Sequence, residues 1–599
     1  MAAHDEEVLG KAYDARLMRR LLTYLRPYRR EVALATAAIL GHSALELAPP
    51  YLTRLVIDRY IPAGDLDGVL RVAAIYLATL LGAFALEYSQ TWLLQLTGQR
   101  IMFDLRMQIY RHLQRLDLSF YDRNPVGRLM TRVTTDVDVL NDLFTGGVVS
   151  VFGDVFTLVW IMVVMVWLDP VLALVAFSVL PLVWLVAQWF RTRVRESYRT
   201  VRTWIARINA YLNERITGMA TVQLFRREAR DYDEFTRIDG AYRDANVQSL
   251  FYYAVFYPAI ELVSALAAAL ILWVGGGRVI QDTLSLGSLV AFLQYSARFF
   301  RPISDLSEKF NLLQGAMASS ERIFVLLDTP VTITSPAAPL RRAPAGVIRF
   351  EHVSFAYVPG EPVLHDVSFE VLPGQRVALV GATGSGKTTI ISLLLRFYEV
   401  QHGRITIDGV DIRELPLDAL RAGFGLVLQD VHLFSGTIAD NVHLGHPDID
   451  ETTVQRAIEA VHAAPFVARL AQGLAAPVAE RGATLSVGQK QLLSFARALA
   501  FDRPVLILDE ATSSVDTETE LLIRDALTVV MRDRTTIAIA HRLSTIQDMD
   551  RILVLHKGEL RESGTHQELL AQRGIYHRLH ALQFRERPMT IPAAPAPAS

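Results

Sequence analysis

The sequence predicts two domains of different class: an N-terminal all-α domain of six transmembrane helices and a C-terminal α/β domain. Three observations predict this division. The 599 residues are 51% hydrophobic, with a mean hydropathy of +0.26, but still 20% charged, which is too large and too uneven for one core. Apolar stretches long enough to cross a bilayer are confined to the first 305 residues. From about residue 346, short apolar runs alternate with helical segments, as in α/β domains.

The composition excludes several classes of function. The chain has no cysteine, which excludes disulfides, thiolate metal sites and cysteine nucleophiles. Its formal net charge of −2 gives no global attraction to nucleic acid, so we expect no nucleic-acid partner. The first apolar run begins some 30 residues in and is not followed by a small-residue cleavage site, so we expect no signal peptide.

Six apolar segments are candidates to cross a bilayer, for which roughly 20 mainly apolar residues are needed. They are residues 32–57, 69–97, 143–168, 170–190, 248–277 and 280–303. The fourth is the clearest, because it carries no charge from Val171 to Phe190. The sixth is the weakest, because its uncharged core runs only from Thr283 to Ala297.

Loop length and arginine content orient the six segments. The links after the first, third and fifth (58–67, 169–170 and 275–281) are short and poor in arginine, whereas those after the second and fourth (98–142 and 191–247) are long and rich in it. Arginine-rich loops stay in the cytoplasm, so both termini are predicted to be cytoplasmic. Charged residues at helical spacing in the long links predict helices that continue beyond the bilayer.

The residues before the first span combine leucines with arginines. Over residues 15–30 this mixture predicts an amphipathic helix on the inner membrane surface. An ordinary flank of the first span, with arginine side chains reaching toward water, is the alternative.

A phosphate-binding loop pattern runs from Gly381 to Thr388, directly after the apolar stretch 376–380. Its glycines allow backbone N–H groups to wrap around phosphates, and the following uncharged run predicts a helix whose N-terminus faces the anion. We therefore predict a nucleoside triphosphate site in which Lys387 reaches the β- and γ-phosphates and the Thr388 hydroxyl ligates Mg²⁺. The other residues assigned to this loop are Gly381, Thr383, Gly384, Ser385, Gly386 and Thr389.

A second apolar strand, residues 504–508, ends in the two acids Asp509 and Glu510. Downstream of a phosphate loop, such a pair is typical of an ATPase. Asp509 is predicted to hold Mg²⁺ through water, and Glu510 to orient or deprotonate the attacking water.

Between these motifs lies Leu485-Ser486-Val487-Gly488-Gln489-Lys490-Gln491, which resembles the signature motif of ATP-binding cassette (ABC) proteins. The resemblance extends to the family's other motifs, in order. It implies that Ser486, Gly488, Gln489 and the D-loop residue Asp516 bind nucleotide, that Tyr357 stacks on adenine, that Gln429 is the Q-loop residue that senses Mg²⁺, and that His541 is the switch histidine at the γ-phosphate. The resemblance thus implies Thr388, Gln429 and Asp509 around Mg²⁺, and Glu510 and His541 in catalysis.

The resemblance covers nearly the whole chain. Six spans fused N-terminally to one cassette is the half-transporter layout of ABC exporters, and residues 120–129 resemble their first coupling helix. It implies a transmembrane domain over 1–325 and a nucleotide-binding domain over 347–582. The proline-rich composition of 326–346 predicts a linker between them, and the proline- and alanine-rich tail over 583–599, which falls outside the resemblance, is expected to be disordered. The implied function is ATP-driven export of a small amphipathic or hydrophobic substrate by alternating access, in a bacterial plasma membrane.

The family closes each ATP site with the signature of a second cassette, so the resemblance implies a second half-transporter as partner. The family has glycine where this chain has Val487, and a β-branched side chain there should hinder close approach to the phosphate. Such changes resemble those in one half of heterodimeric exporters, the half that keeps the catalytic glutamate. This favours a heterodimer, with a homodimer as the alternative.

Two questions stay open on sequence grounds. An ATP-dependent regulatory or channel-gating membrane protein would carry the same cassette, and drugs, lipids and peptides are all candidate substrates. Four acids lie in or near the predicted spans, where they either line a cavity for cationic amphiphiles or sit at wet helix ends. They are Glu46, Glu87, Asp154 and Glu261.

Overall fold

The computed structural model describes residues 14–299, 301–336, 346–509, 517–539 and 546–585. These residues separate into two compact units. The first unit lies within residues 1–114 and 125–329, and the second within residues 115–124 and 330–599. The short segment 115–124 therefore belongs to the second unit, although it lies in sequence between two helices of the first.

The first unit is built of helices throughout its described residues. They are α1 (Ala15–Thr23), α2 (Arg29–Glu46), α3 (Ala48–Leu55), α4 (Leu66–Leu113), α6 (Val126–Val133), α7 (Thr135–Asp142), α8 (Val148–Leu168), α9 (Pro170–Phe177), α10 (Leu180–Thr217), α11 (Met219–Leu224), α12 (Glu228–Ile280), α13 (Leu286–Phe299) and α14 (Arg301–Asp328). Helix α5 (Leu118–Arg123) belongs to the second unit.

Five helical stretches of the described residues are long and apolar enough to cross a membrane: Arg26–Tyr60, Leu66–Leu113, Val126–Leu168, Pro170–Thr217 and Glu228–Ile280. Each contains one of the first five predicted spans. The sixth predicted span, 280–303, is not among them. It falls on α13 and the start of α14, on either side of residue 300, which lies outside the described residues.

The link after the fifth span is shorter than predicted, because the glycines at 275–277 stay helical and α12 continues to Ile280. Gly275 is buried, and a Cβ atom there would lie 2.6 Å from Leu289 Cδ1 and 3.3 Å from Leu172 Cδ2. The absence of a side chain lets α12 pack closely on α13 and α9. This packing outweighs the lower helix propensity of glycine, about 1 kcal/mol relative to alanine.

Two predicted spans are interrupted by prolines. Helix α2 ends at Glu46 and α3 begins at Ala48, just before Pro49 and Pro50. Helix α9 ends at Phe177 and α10 begins at Leu180, just before Pro181. Proline lacks the N–H that would continue a helix and clashes with the preceding turn, so each span restarts at its proline.

Helices continue beyond the apolar segments, as the charge pattern of the long links predicts. Helix α10 extends to Thr217 and α12 begins at Glu228, so most of residues 191–247 is helical. The residues before the first span also form a helix, α1. Its Leu21 is 1% exposed, and Arg20 is hydrogen-bonded to both carboxylate oxygens of Asp328 at 2.6 and 2.8 Å. Leu21 and Arg20 of α1 therefore pack against, or bond to, other residues of the first unit.

The second unit contains a six-stranded sheet, a four-stranded antiparallel sheet and a short two-stranded pair. The strands are β1 (Ile348–Phe355), β2 (Leu364–Val371), β3 (Arg376–Val380), β4 (His402–Ile407), β5 (Val410–Asp411), β6 (Phe424–Val427), β7 (Gly436–Thr437), β8 (Pro477–Val478), β9 (Val505–Asp509), β10 (Thr535–Ile539), β11 (Arg551–His556) and β12 (Glu559–Gly564). Its helices after α14 are α15 (Lys387–Leu394), α16 (Leu417–Ala422), α17 (Ile438–His443), α18 (Glu451–Ala460), α19 (Ala464–Ala468), α20 (Val487–Ala500), α21 (Thr517–Met531), α22 (His566–Gln572) and α23 (Ile575–Arg585).

The six-stranded sheet has the order β12-β11-β3-β10-β9-β6, and all neighbours except β11 and β12 are parallel. Alternate residues of its strands enter two different hydrophobic cores, since successive side chains point to opposite faces. Leu506 and Leu508 pack in one core with α20, whereas Val505 and Ile507 pack in the other with α15. This arrangement places α15 and α20 on opposite faces of the sheet.

A buried ion pair between Asp169 and Arg278 lies at the link between α8 and α9. Asp169 is only 11% exposed at its side chain, accepts a hydrogen bond from Leu172 N at 2.9 Å, and accepts two from Arg278 Nη1 at 2.7 and 2.8 Å. Burial alone would raise the pKa of the Asp169 carboxyl, but these hydrogen bonds outweigh it and hold the pKa below its usual range. The pair therefore ties the start of α9 to the end of α12.

We expect Asp169→Asn to lower the stability of the first unit, because it leaves Arg278 half-buried beside a neutral amide. The apparent melting temperature of the detergent-purified chain should fall by about 3–8 °C, as expected for a loss of ~1–3 kcal/mol. Glu234→Gln is the matched control, since the Glu234–Arg237 pair is exposed, and it should shift the melting temperature by less than about 1 °C. Equal shifts in the two variants would contradict a structural role for the Asp169–Arg278 pair.

Candidate functional site

The candidate site begins where β3 ends and the chain turns into α15. Gly386 is the N-cap of α15, with a φ of +99° that side-chain-bearing residues rarely adopt. A Cβ atom at Gly386 would lie 2.5 Å from Leu364 Cδ2, and one at Gly381 would lie 2.3 Å from the Leu555 carbonyl oxygen. A side chain at either position would clash with these atoms, so the conformation of the loop before α15 requires glycine at both.

Lys387, the first residue of α15, is buried inside this loop. Its Nζ donates hydrogen bonds to the carbonyl oxygens of Gly381 at 2.9 Å and Ala382 at 3.0 Å. Burial lowers the pKa of the Lys387 ammonium group, and the nearby Asp509 carboxylate opposes that shift. The ammonium is thus held by neutral acceptors, and a phosphate oxygen would offer it a stronger, charged one.

The hydroxyl groups of the loop also fit an anionic ligand. Ser385 Oγ is buried, and no hydrogen-bond partner for it is found within the described ranges. Buried polar atoms are normally paired, so an unpaired donor at this point suits a ligand oxygen. Thr388 is exposed at the start of α15, where its hydroxyl is open to a metal ion, and Thr383 and Gly384 are exposed at the tip of the loop.

The parallel register of the sheet brings the predicted motifs to one edge. Leu379, near the end of β3, lies opposite Ile539 of β10, and Ile539 lies opposite Asp509 at the end of β9. Gln429, two residues beyond the end of β6, is exposed. The carboxyl ends of four neighbouring parallel strands thus carry the phosphate loop, Asp509, the segment leading to residue 541, and Gln429.

Three predicted site residues lie outside the described residues: Glu510, Asp516 and His541. Asp509 directly precedes the first of them, and Ile539, two positions before His541, is the last residue of β10. Their roles stay predictions.

Tyr357 lies beside the loop helix. Its hydroxyl donates a hydrogen bond to Thr389 Oγ1 at 3.1 Å, so the Thr389 side chain already has a partner within the protein. The Tyr357 ring meets the rings of Phe355 and Tyr398 edge to face, with centroids 4.9 and 5.0 Å apart. Sequence reasoning missed Tyr398, because no motif contains it and only the fold brings it to Tyr357.

The signature residues form the start of α20. The Ser486 hydroxyl accepts from Gln489 N at 3.2 Å, and the Gln489 side chain accepts from Ser486 N at 3.0 Å, which together form a capping box. Val487 is 55% exposed, whereas Gly488 is buried. Helix α20 packs on the opposite face of the sheet from α15. The helix that follows the signature and the helix that follows the phosphate loop therefore belong to different hydrophobic cores.

The four membrane acids have different surroundings in the first unit. Asp154 forms an ion pair with Lys309, and Glu46 lies 3.9 Å from His42 Nε2. Glu87 and Glu261 are exposed in α4 and α12. Asp154 is therefore neutralised within the chain and is a poor candidate for binding a cation.

Comparisons with known proteins agree with this architecture. Residues 32–303 match the ABC transporter transmembrane region, and residues 364–513 match the ABC transporter family. An uncharacterized ABC transporter ATP-binding protein of Bacillus subtilis is 38% identical over 592 residues, covering 97% of this chain and 96% of the relative. A fatty acid ABC transporter ATP-binding/permease protein of Mycobacterium tuberculosis is 40% identical, covering 86% of this chain and 82% of the relative.

A solved structure is similar over nearly the full length. A bacterial Atm1-family ABC exporter with ATP bound superimposes with a TM-score of 0.75 and 30% identity, covering 95% of this chain and 99% of that one. Transmembrane region and ATPase domain are thus fused in the same order in both. The chain belongs to the ABC transporter family, as a multi-pass membrane protein of the exporter type that hydrolyses ATP.

Proposed function

We propose that this chain is one half of a dimeric exporter that uses ATP and Mg²⁺ to move a small amphipathic or hydrophobic substrate out of the cell. The observation that carries the proposal is the loop around Lys387, where the buried ammonium donates to the carbonyl oxygens of Gly381 and Ala382 and the Ser385 hydroxyl has no partner among the described residues. Both groups would be satisfied by phosphate oxygens. The glycine backbone around them would donate its N–H groups to the same ligand.

Different residues would bind the metal ion, stack on the base and act on the attacking water. Thr388 and Gln429 would hold Mg²⁺ directly and Asp509 through water, and the Tyr357 ring would stack on the base. When bound, ATP supplies the γ-phosphoryl bond whose hydrolysis drives the cycle. Glu510 would orient the attacking water or accept a proton from it, and His541 would contact the γ-phosphate.

The placement of the signature supports a dimer. The start of α20 presents an exposed helix N-terminus, to which an anion is attracted, on the face of the sheet opposite α15. A second cassette would place its own signature over this chain's phosphate loop, and this chain's signature would cover the partner's nucleotide. The exposed side chain of Val487 would then lie next to that second nucleotide, which favours a heterodimer in which this chain provides Lys387 and Glu510 to the faster site.

The substrate class rests on two further points. The Mycobacterium tuberculosis relative is named as a fatty acid transporter, and fatty acids are amphipathic. The Asp154–Lys309 pair removes one of the four acids that would otherwise favour cationic substrates. We therefore expect lipid-like amphiphiles to be transported. The arginine-rich long links place both termini in the cytoplasm in this proposal.

Glu510→Gln should retain ATP binding but lower steady-state hydrolysis by about 10²–10³-fold, because the amide keeps the size of the side chain and cannot take a proton from water. Phosphate release from the purified chain in nanodiscs measures turnover, and equilibrium binding of a fluorescent ATP analogue measures affinity. Turnover close to that of the wild type would rule out this role for Glu510.

Lys387→Ala should weaken ATP binding itself by about 10–100-fold, since it removes a charged donor aimed at the phosphates. Arg469→Ala is the control, because it deletes an exposed positive charge of the same unit away from the loop. Its affinity should stay within about twofold of the wild type. If both variants bind ATP as the wild type does, the loop is not the nucleotide site.

Val487→Gly tests the form of the dimer. In a heterodimer, this change should alter nucleotide retention at the partner's site more than overall turnover, because the rate-carrying site lies across the interface. In a homodimer, it should raise turnover at two equivalent sites. Hydrolysis and trapped nucleotide are compared for the chain alone and for the chain with a candidate partner half. Full activity and two equivalent sites in the chain alone would overturn the heterodimer.

A further inference from the structure

Helix α1 carries three arginines and no acidic residue within its nine residues. Arg19 and Arg20 follow Arg16 by three and four positions, so the three side chains project from one side of the helix and line one open groove. Like charges at this spacing repel one another and weaken a helix. An anion that lies among these side chains would therefore stabilise α1.

One of the three arginines is paired within the protein. Arg20 donates to both carboxylate oxygens of Asp328, at 2.6 and 2.8 Å, and its guanidinium lies 4.1 Å from the centre of the Phe324 ring. Arg16 and Arg19 are exposed, and neither has an ion-pair partner among the residues that the structure describes. Two of the three charges are thus open to an additional anion.

The position of α1 is fixed by contacts on its other side. Leu21 is buried in the first unit. Tyr24, directly after the helix, donates a hydrogen bond from its hydroxyl to Gln108 Oε1 at 2.8 Å, and its ring stacks on the Phe324 ring with centroids 6.4 Å apart. The two exposed arginines are therefore already held on the surface of the first unit, and binding of a ligand would not have to place them.

Helix α1 also lies directly before the first membrane span. The stretch that is long and apolar enough to cross a membrane begins at Arg26, three residues after the end of α1. Arg26, Arg29 and Arg30 are exposed as well, and Leu22 is an exposed apolar side chain next to the buried Leu21. Exposed arginines and an exposed leucine at the start of a span suit the boundary between lipid headgroups and acyl chains.

We propose that Arg16 and Arg19 form a binding site for the headgroup of an anionic phospholipid in the adjacent leaflet. A guanidinium group binds phosphate oxygens through paired N–H donors, and two neighbouring guanidinium groups favour a headgroup with a net negative charge. Clusters of basic residues beside a span attract anionic lipids in this way. The site lies outside the ATP-binding residues, so the inference goes beyond the proposed export function and does not depend on it.

A single fluorescent label tests this inference, because the chain has no cysteine of its own. A polarity-sensitive dye is attached to the Leu22→Cys variant of the full chain in detergent, and phosphatidylglycerol or zwitterionic phosphatidylcholine is added. The emission should shift to shorter wavelength as lipid binds. The half-saturating concentration should be about 25-fold lower for phosphatidylglycerol than for phosphatidylcholine, about fivefold for each arginine near the anionic headgroup.

Arg16→Gln combined with Arg19→Gln removes both charges and should raise the half-saturating concentration of phosphatidylglycerol to that of phosphatidylcholine. Both side chains are exposed, so the melting temperature should stay within about 2 °C of that of the labelled parent. Arg469→Gln combined with Arg532→Gln is the matched control, because it removes the same charge from exposed positions of the second unit. The control should keep the half-saturating concentration within about twofold.

Three outcomes would overturn the inference. The first is an equal response of the labelled parent to the two lipids. The second is an unchanged phosphatidylglycerol response in the α1 variant, or an equal loss in the control, which would assign the effect to net charge alone. Inorganic phosphate is the probe for a soluble anion, and displacement of phosphatidylglycerol by an equal concentration of it would contradict a lipid site. The measurement contains no nucleotide, so its failure would leave the proposed export function standing.

Discussion

The parallel register of β3, β10 and β9 is the constraint on which the rest of the second unit depends. Leu379 lies opposite Ile539, and Ile539 lies opposite Asp509, so the three strands end at the same level of the sheet. The glycine loop after β3 and Asp509 at the end of β9 therefore share one edge, as in other open α/β sheets, where ligands bind at the carboxyl ends of the strands. A slip of one residue in either pairing would separate Lys387 from Asp509 and turn buried side chains to the other face.

The same sheet keeps the phosphate loop and the signature of one chain apart. Its alternating side chains support α15 on one face and α20 on the other, so the phosphate loop and the signature are held by separate cores. The capping box of Ser486 and Gln489 keeps the start of α20 ordered without a ligand. Such an ordered start of α20, held apart from the phosphate loop of the same chain, fits a proposed site that a second cassette completes. Because folding already orders the start of α20, ATP binding would not have to order it.

The first unit follows different rules, because helices in lipid are brought together by close packing and not by the exclusion of water. Gly275 lets α12 approach α13 and α9, and the prolines at 49, 50 and 181 lie where two spans are interrupted. Some charges in this unit form ion pairs between residues that are distant in sequence, such as Asp169–Arg278 and Asp154–Lys309. Aromatic contacts add to this packing, as in the stacked rings of Phe190 and Phe256, whose centroids are 4.0 Å apart.

The sequence by itself determined the two-domain organisation, five of the spans and the order of the ATPase motifs, because each depends on residues that are near neighbours in the chain. Lys387 and Ser486 could be found in this way, since a loop before a helix and a cap before a helix are local patterns. The extent of α12 through Gly275–Gly277 could not, because only contact with Leu289 and Leu172 explains why glycines stay helical. Likewise, the assignment of residues 115–124 to the second unit and the contact of Tyr398 with Tyr357 were decided by tertiary structure. These features join residues that are distant in sequence, and the physical reason that they meet is packing, which no local pattern records.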